Sequence, residues 1–182
     1  MRKPTGVSRR LLQCMEHLEE DDFEGALVNL FPALDQTAKR RRPKEGVAKR
    51  IKAFLEDEER LMSSLTGNCL SNIKCNDLSI TDTLYKFGRT SIVHEGELDP
   101  RIEFNCNGTF SIGSKKLILP SSYIVGMSVA VITAPENSNE YIDVPFSIIV
   151  FEKSFNVAEL WGNAEAIKGY ICEKFKNKEL FS

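Results

Sequence analysis

Histidine is almost missing from this 182-residue chain, which holds only His17 and His94. A histidine metal cluster therefore cannot be built, and nothing in the sequence points to a carboxylate-only metal site. The five cysteines (Cys14, Cys69, Cys75, Cys106 and Cys172) are odd in number and never spaced Cys-x-x-Cys. That pattern argues against a disulfide framework and a structural zinc, and the thiols read as small reduced hydrophobes. There is no glycine-rich phosphate loop and no Gly-x-Ser-x-Gly elbow, so no cofactor is expected. The longest apolar run, Ile124 to Ala134, is too short to span a bilayer and is interrupted by Gly126 and Ser128. The opening Met1-Arg-Lys-Pro-Thr5 lacks the apolar centre of a signal peptide, so the cytoplasm is the expected location. A net charge of −2 supplies no global field for nucleic acid or membrane.

What is present is ordinary globular material. The hydrophobic share is 42% and the charged share 27%, which suits one domain with a substantial core spanning 1–182. Leu11, Leu12, Met15 and Leu18 recur at helical spacing and predict a helix from Val7 to Glu19. Asp21 or Asp22 caps a second helix, from Phe23 through Ala38, with Pro32 expected to kink it. It ends in Lys39-Arg40-Arg41-Arg42, the densest positive cluster in the chain. These cations complement a helix C-terminus, and they are also candidate RNA-phosphate contacts. Gly46 to Thr66 predicts a third helix stopped by Gly67-Asn68, with Glu56 to Glu59 as a solvated face. Cys69 to Asp77 reads as a polar connection.

After Gly96 the texture changes. Arg101 to Asn105, Thr109 to Ile112 and Lys116 to Leu119 read as short strands, and Phe146 to Phe151 with Ser154 to Val157 as a hairpin. Between them lies an apolar helix, Tyr123 to Thr133, which belongs in a core or at a subunit interface. A last helix runs from about Asn163 to Phe175, with Trp161 plugging the core. The expectation is a mainly α protein: an up-and-down helical bundle with two small β-hairpin insertions, near 101–119 and 146–157.

The chemistry concentrates in Tyr85-Lys-Phe-Gly-Arg-Thr-Ser-Ile-Val-His-Glu-Gly96, on a helix capped by Ser79 or Thr81. Arg89, Thr90 and His94 sit among apolar neighbours, and each needs a partner or a substrate. Histidine moves protons near neutral pH, and arginine holds a phosphate and steadies charge growing on it. Together they can cleave RNA through its own 2′-hydroxyl without a metal. Five residues of α-helix turn about 500°, leaving the two Cα positions about 140° apart and about 7.5 Å along the axis. Both side chains reach one phosphate only if the arginine extends around the helix, the helix distorts near Gly88, or a second subunit completes the site.

Arg89-Thr-Ser-Ile-Val-His94 resembles the signature of the HEPN superfamily, an arginine, usually with a polar residue after it, and a histidine after four to six intervening residues. Leu34-Asp-Gln-Thr-Ala-Lys39, Gly46-Val-Ala-Lys-Arg50, Leu119-Pro-Ser-Ser-Tyr-Ile124 and Glu159-Leu-Trp-Gly162 are similar to a plasmid-borne HEPN subgroup. The resemblance implies a metal-independent endoribonuclease acting as a homodimer, with both motifs lining one cleft. It implies Arg89 and His94 as catalytic residues and Thr90 at the variable polar position. It further implies a toxin or phage-defence role, RNA rather than DNA as substrate, and a neutralising antitoxin as a partner to look for. The β insertions are not part of the common helical core. Two alternatives stand beside this reading: a non-catalytic HEPN module binding RNA, nucleotide or a protein, and a structural dimer with Arg89 and His94 locked in internal bonds.

Overall fold

The computed structural model describes residues 4–67, 74–75, 78–113 and 116–181. The expected stop at Asn68, Cys69 and the turn at Ser114 lie outside these residues. The described chain is mostly helical, with a few small β elements. In order come α1 (Gly6–Glu19), α2 (Phe23–Arg41), α3 (Val47–Ser64), β1 (Lys74–Cys75) and β2 (Leu78–Ser79). Next are α4 (Ile80–Thr83), a π-helical turn (Leu84–Arg89) and α5 (Thr90–Glu95). Then follow β3 (Ile102–Asn105), β4 (Ser111–Ile112), β5 (Leu117–Pro120) and α6 (Ser122–Thr133). The chain closes with β6 (Ser147–Val150), β7 (Lys153–Asn156), α7 (Val157–Leu160) and α8 (Ala164–Lys174).

Helix α6 lies at the centre. Every residue from Gly126 to Thr133 is buried, so the apolar stretch is core within one chain rather than an interface. A helix without a polar face must be surrounded, and α2, α3, β5 and α7 pack around it. Its two buried hydroxyls bond back to their own helix, Ser128 Oγ to Ile124 O at 3.0 Å and Thr133 Oγ1 to Val129 O at 2.8 Å. On α1, Cys14 Sγ lies 3.7 Å from Ser128 Oγ. Burial pushes this thiol up to about 12, the Ser128 contact opposing only in part, so it stays protonated. Where α3 crosses α6, Gly126 lets the backbones meet: a Cβ there would lie 2.9 Å from the Met62 carbonyl oxygen.

Helices α1 and α2 form a tight antiparallel pair across three residues, with Asp22 as N-cap accepting from Gly25 N at 2.9 Å. Helix α2 continues through Pro32, which faces solvent. Between α6 and β6, a loop fastens three helices. Asn137 donates to Thr37 Oγ1 at 2.9 Å and Val131 O at 2.6 Å. The buried carboxylate of Glu140 accepts from Ser8 N at 3.2 Å and from Thr5 Oγ1, and it pairs with Arg40 at 2.8 Å. It closes the N-terminus of α1 from across the chain.

The β elements correct the expected topology. The first insertion is not a hairpin: β3 pairs with β5 in parallel, and β4 joins β5 antiparallel from the other side. The apolar alternation explains this order. Ile102, Phe104, Leu117 and Leu119 all point into the core, whereas Ser111 and Ile112 are exposed and suit an edge. A further small hairpin, β1–β2, lies in the stretch read as a polar connection, where two residues per strand are too few to show a period. The β6–β7 hairpin forms as expected, but Val157 opens α7, with Asn156 as its N-cap.

Substituting Gly126→Ala should lower stability by about 1–3 kcal/mol, because the methyl meets a backbone carbonyl that no rotamer change can move. A denaturation midpoint equal to or above that of the native protein would contradict the close α3–α6 contact.

Candidate functional site

The segment carrying Arg89, Thr90 and His94 begins at Ser79, whose hydroxyl accepts from Asp82 N at 3.0 Å and caps α4. One turn later the helix widens. Thr90 donates both its backbone N–H and its hydroxyl to Tyr85 O, the latter at 3.0 Å, closing a bond five residues back instead of four. A π turn inserts an extra residue and is commonly found at functional sites. The turn packs closely on α2. Phe31 of α2 sits against Gly88, where a Cβ would lie 3.2 Å from Phe31 Cζ. Helix α5 then ends at Gly96, in left-handed conformation. Beyond it, Asp99 N–H returns to Phe87 O at 3.3 Å, pinning the exit.

The widened turn does not bring Arg89 and His94 onto one face. It ends at Arg89, whose backbone angles are already α-helical, and the α-helical turn that follows carries His94. The separation of about 140° between them therefore stands. No hydrogen bond or ion pair joins Arg89, Thr90 and His94 among the described residues. Arg89 is half-buried, and its guanidinium carbon lies 5.8 Å from the Tyr85 ring centroid. His94 is exposed, next to Val93, whose apolar side chain is 53% exposed. The Thr90 hydroxyl is spent on the Tyr85 carbonyl.

Arg89, like Arg9 and Arg10, differs from half of the chain's ten arginines. Arg40, Arg41, Arg42, Arg50 and Arg101 each bind at least one carboxylate. Arg89 binds none among the described residues, and the acids that sequence offers as partners are otherwise engaged or apart. Asp82 holds Lys52 at 2.6 Å, and Asp57 holds Arg41 and Arg42 at 3.0 and 2.7 Å.

The positive cluster at residues 39–42 has a different fate. Arg41 reaches Glu136 at 2.9 Å, Glu58 at 2.9 Å and Asp57 at 3.0 Å, with its guanidinium 4.6 Å from the Phe54 centroid. Burial would lower its pKa, but the bonds to Glu136 and its acidic neighbours outweigh that and raise it. Arg40 is tied to Glu140 and to Asn137 at 2.6 Å. The acids read as a solvated face and the cations read as phosphate contacts are thus largely two halves of one network joining α2, α3 and the 134–140 loop. Lys39 alone of the four is exposed without an ion pair among the described residues.

Three further cations line the candidate segment, and sequence spacing gives no signal for them. Lys52 Nζ of α3 lies 5.4 Å from the Tyr85 centroid, Lys86 Nζ 5.3 Å from that of Phe87, and Arg101 3.8 Å from that of Phe87. Their acids are held in the charged form. The bond from Lys52 lowers the Asp82 pKa, and the bonds from Arg101 lower that of Asp99, against opposing burial. Cavities of about 350 and 450 Å³ lie elsewhere, one along Glu56 to Leu61 and the other between Phe23 and Phe104. Neither includes Arg89 or His94.

Comparison with known sequences supplies a family. The Rv1289 family profile matches residues 6–180. The chain belongs to the Rv1289 family. Relatives in it include the uncharacterized protein Rv1289 of Mycobacterium tuberculosis and the uncharacterized protein Mb1320 of Mycobacterium bovis. Each is 24% identical over 174 residues, covering 86% of this chain and 83% of the relative. No solved structure matches the chain. Among the described residues, no helix of this Rv1289-family chain is long and apolar enough to cross a membrane.

Two measurements test this electrostatic arrangement. Asp82 has a depressed folded pKa, so its stabilisation is present above the unfolded value of about 4 and is lost as pH falls through the folded one. Asp82→Asn should flatten the pH dependence of the unfolding midpoint below about pH 4; an unchanged slope would count against the Lys52 pair. Arg41→Met should cost about 1–3 kcal/mol, between the values for exposed and buried pairs, since three carboxylates lose a partner. A midpoint within about 0.5 kcal/mol of the native value would show that the network is not structural.

Proposed function

We propose that this protein is a metal-independent endoribonuclease of HEPN type, acting in the cytoplasm on RNA as a toxin or phage-defence factor. The observation that carries the reading is an arginine without a carboxylate and a histidine without a protein partner, among the described residues, on one continuous helical segment. Arg40, Arg41, Arg42, Arg50 and Arg101 each hold a carboxylate, whereas Arg89 holds none among the described residues, so its guanidinium is available to a phosphate. In this reading the helical bundle is HEPN-like, and Arg89, His94 and Thr90 take the motif's three positions.

His94 accepts the proton of the 2′-hydroxyl, and the freed oxygen attacks the neighbouring phosphorus. Arg89 holds the non-bridging oxygens as negative charge grows on them. The bond from phosphorus to the 5′-oxygen breaks, and that oxygen takes a proton from the second copy of His94. The products are a 2′,3′-cyclic phosphate and a 5′-hydroxyl. Thr90 acts through its hydrogen bond, closing the turn that presents Arg89. A homodimer answers the separation of Arg89 and His94 around the helix, since each phosphate can meet the arginine of one copy and the histidine of the other. With α6 buried, such a dimer uses another face, and the exposed Val93 beside His94 is its natural contact. An antitoxin would mask the same face.

A second reading is favoured by one observation: His94 stands on an open helical surface, and the cavities described lie away from it. A non-catalytic module would use that surface to bind RNA, nucleotide or a partner protein.

The deciding experiment incubates the protein with a mixed RNA pool in EDTA, beside His94→Ala. The expected outcome is fragments with 2′,3′-cyclic phosphate ends and at least a 100-fold loss in the variant, roughly the contribution of a general acid–base residue. Cleavage retained by folded His94→Ala would reject the assignment. RNA binding without cleavage by either protein would support the second reading.

A further inference from the structure

We infer that Tyr85 is a positioning residue for Arg89: its ring orients the guanidinium over the site while leaving the charge unneutralised. The inference rests on the nuclease reading for its functional meaning and on geometry for its substance. An arginine side chain carries several rotatable bonds, and one that must meet a phosphate needs a restraint. A carboxylate supplies restraint but cancels the charge that the phosphate requires. An aromatic face supplies it and cancels nothing.

The chain uses both devices, and the contrast between them carries the argument. Arg41 lies over Phe54 and Arg101 over Phe87, but each is also bound to acids: Arg41 to Glu136 at 2.9 Å, Arg101 to Asp99 at 2.5 Å. Those two are structural clamps. Arg89 has the ring alone, with its guanidinium carbon 5.8 Å from the Tyr85 centroid and no carboxylate among the described residues.

The ring is itself fixed. Residues four apart on a helix are stacked neighbours, which aligns Tyr85 with Arg89. The Tyr85 carbonyl accepts the Thr90 N–H and hydroxyl, so the same residue closes the π turn through its backbone and seats Arg89 through its side chain. Lys52 Nζ lies 5.4 Å from the same ring centroid. Lys52 is held in turn by Asp82 at 2.6 Å, and the Ser79 hydroxyl donates to that carboxylate at 3.0 Å. The seat therefore links α3, the cap of α4 and the π turn.

The test has two arms on the full-length protein. In the first, RNA cleavage is measured for Tyr85→Phe, Tyr85→Leu, Arg89→Ala and the double variant Tyr85→Leu/Arg89→Ala. Tyr85→Phe should stay within about twofold of the native rate, and Tyr85→Leu should fall on the order of tenfold. The double variant should be no slower than Arg89→Ala alone, because a positioning residue has nothing left to position. Loss in Tyr85→Phe equal to that in Tyr85→Leu, or a further loss in the double variant, would overturn the inference.

In the second arm, the Arg89 Nε–H resonance is followed in ¹⁵N-labelled protein. It should be displaced by the ring current in the native protein and in Tyr85→Phe, and revert toward that of exposed arginines in Tyr85→Leu. Tyr85→Met, closer in volume, replaces Tyr85→Leu if the latter does not fold. An Arg89 resonance unaffected by removal of the ring overturns the seat. This arm is independent of activity. If the native protein cuts no RNA while the resonance behaves as expected, the nuclease reading fails and the seat stands.

Discussion

The contact between Gly126 and the Met62 carbonyl is the constraint on which the arrangement of helices depends. Helix α6 has no polar face, so it is stable only when enclosed, and it can be enclosed only if a neighbour comes close enough to leave no gap. The missing side chain at Gly126 lets α3 do so. With α3 set against α6, α2 is held between them, and α3 presents Lys52 toward the segment that carries Arg89. A core residue far from the candidate chemistry thus fixes where one of its flanking cations stands.

Charge is handled in two ways. Around α2 and α3, arginines and acids are interleaved in ion pairs, and three elements are joined at Arg41. Such partly buried networks require that every member be satisfied, since removal of one exposes the others. Around the π turn, cations lie on aromatic rings, and Arg89 has no acid among the described residues. The second arrangement is weaker as structure and more available to an outside anion. The difference between a clamp and a site here lies in the partner, not in the residue type.

Sequence periodicity carries the long helices well. The α1 pattern, the Asp22 and Ser79 caps, the Gly96 stop and the burial of Trp161 follow from local rules that tertiary contacts leave intact. It fails where partners are remote. Arg40 meets Glu140 and Arg41 meets Glu136 across almost a hundred residues, so a run of cations and a run of acids look solvated when read singly. Strand order fails for the same reason, because β3 and β5 pair through facing apolar residues while β4 intervenes in sequence. At the candidate site, Arg89, Thr90 and His94 are visible as a motif. The π turn is not, since no local pattern marks the Tyr85–Thr90 bond, and neither is Lys52, which arrives on another helix.

The Glu140 carboxylate bears on how the chain is made. It closes the first turn of α1 from 132 residues away, through Ser8 N and the Thr5 hydroxyl. On a ribosome adding about 5–20 residues per second, α1 is made roughly 7–26 seconds before that partner exists. During this interval the apolar faces of α1 and α2 have no α6 to cover, and the N-terminal amides of α1 have only water and the Thr5 hydroxyl. The nascent chain passes through a stage in which these two helices lack their cover, and a holding chaperone would find its surface there.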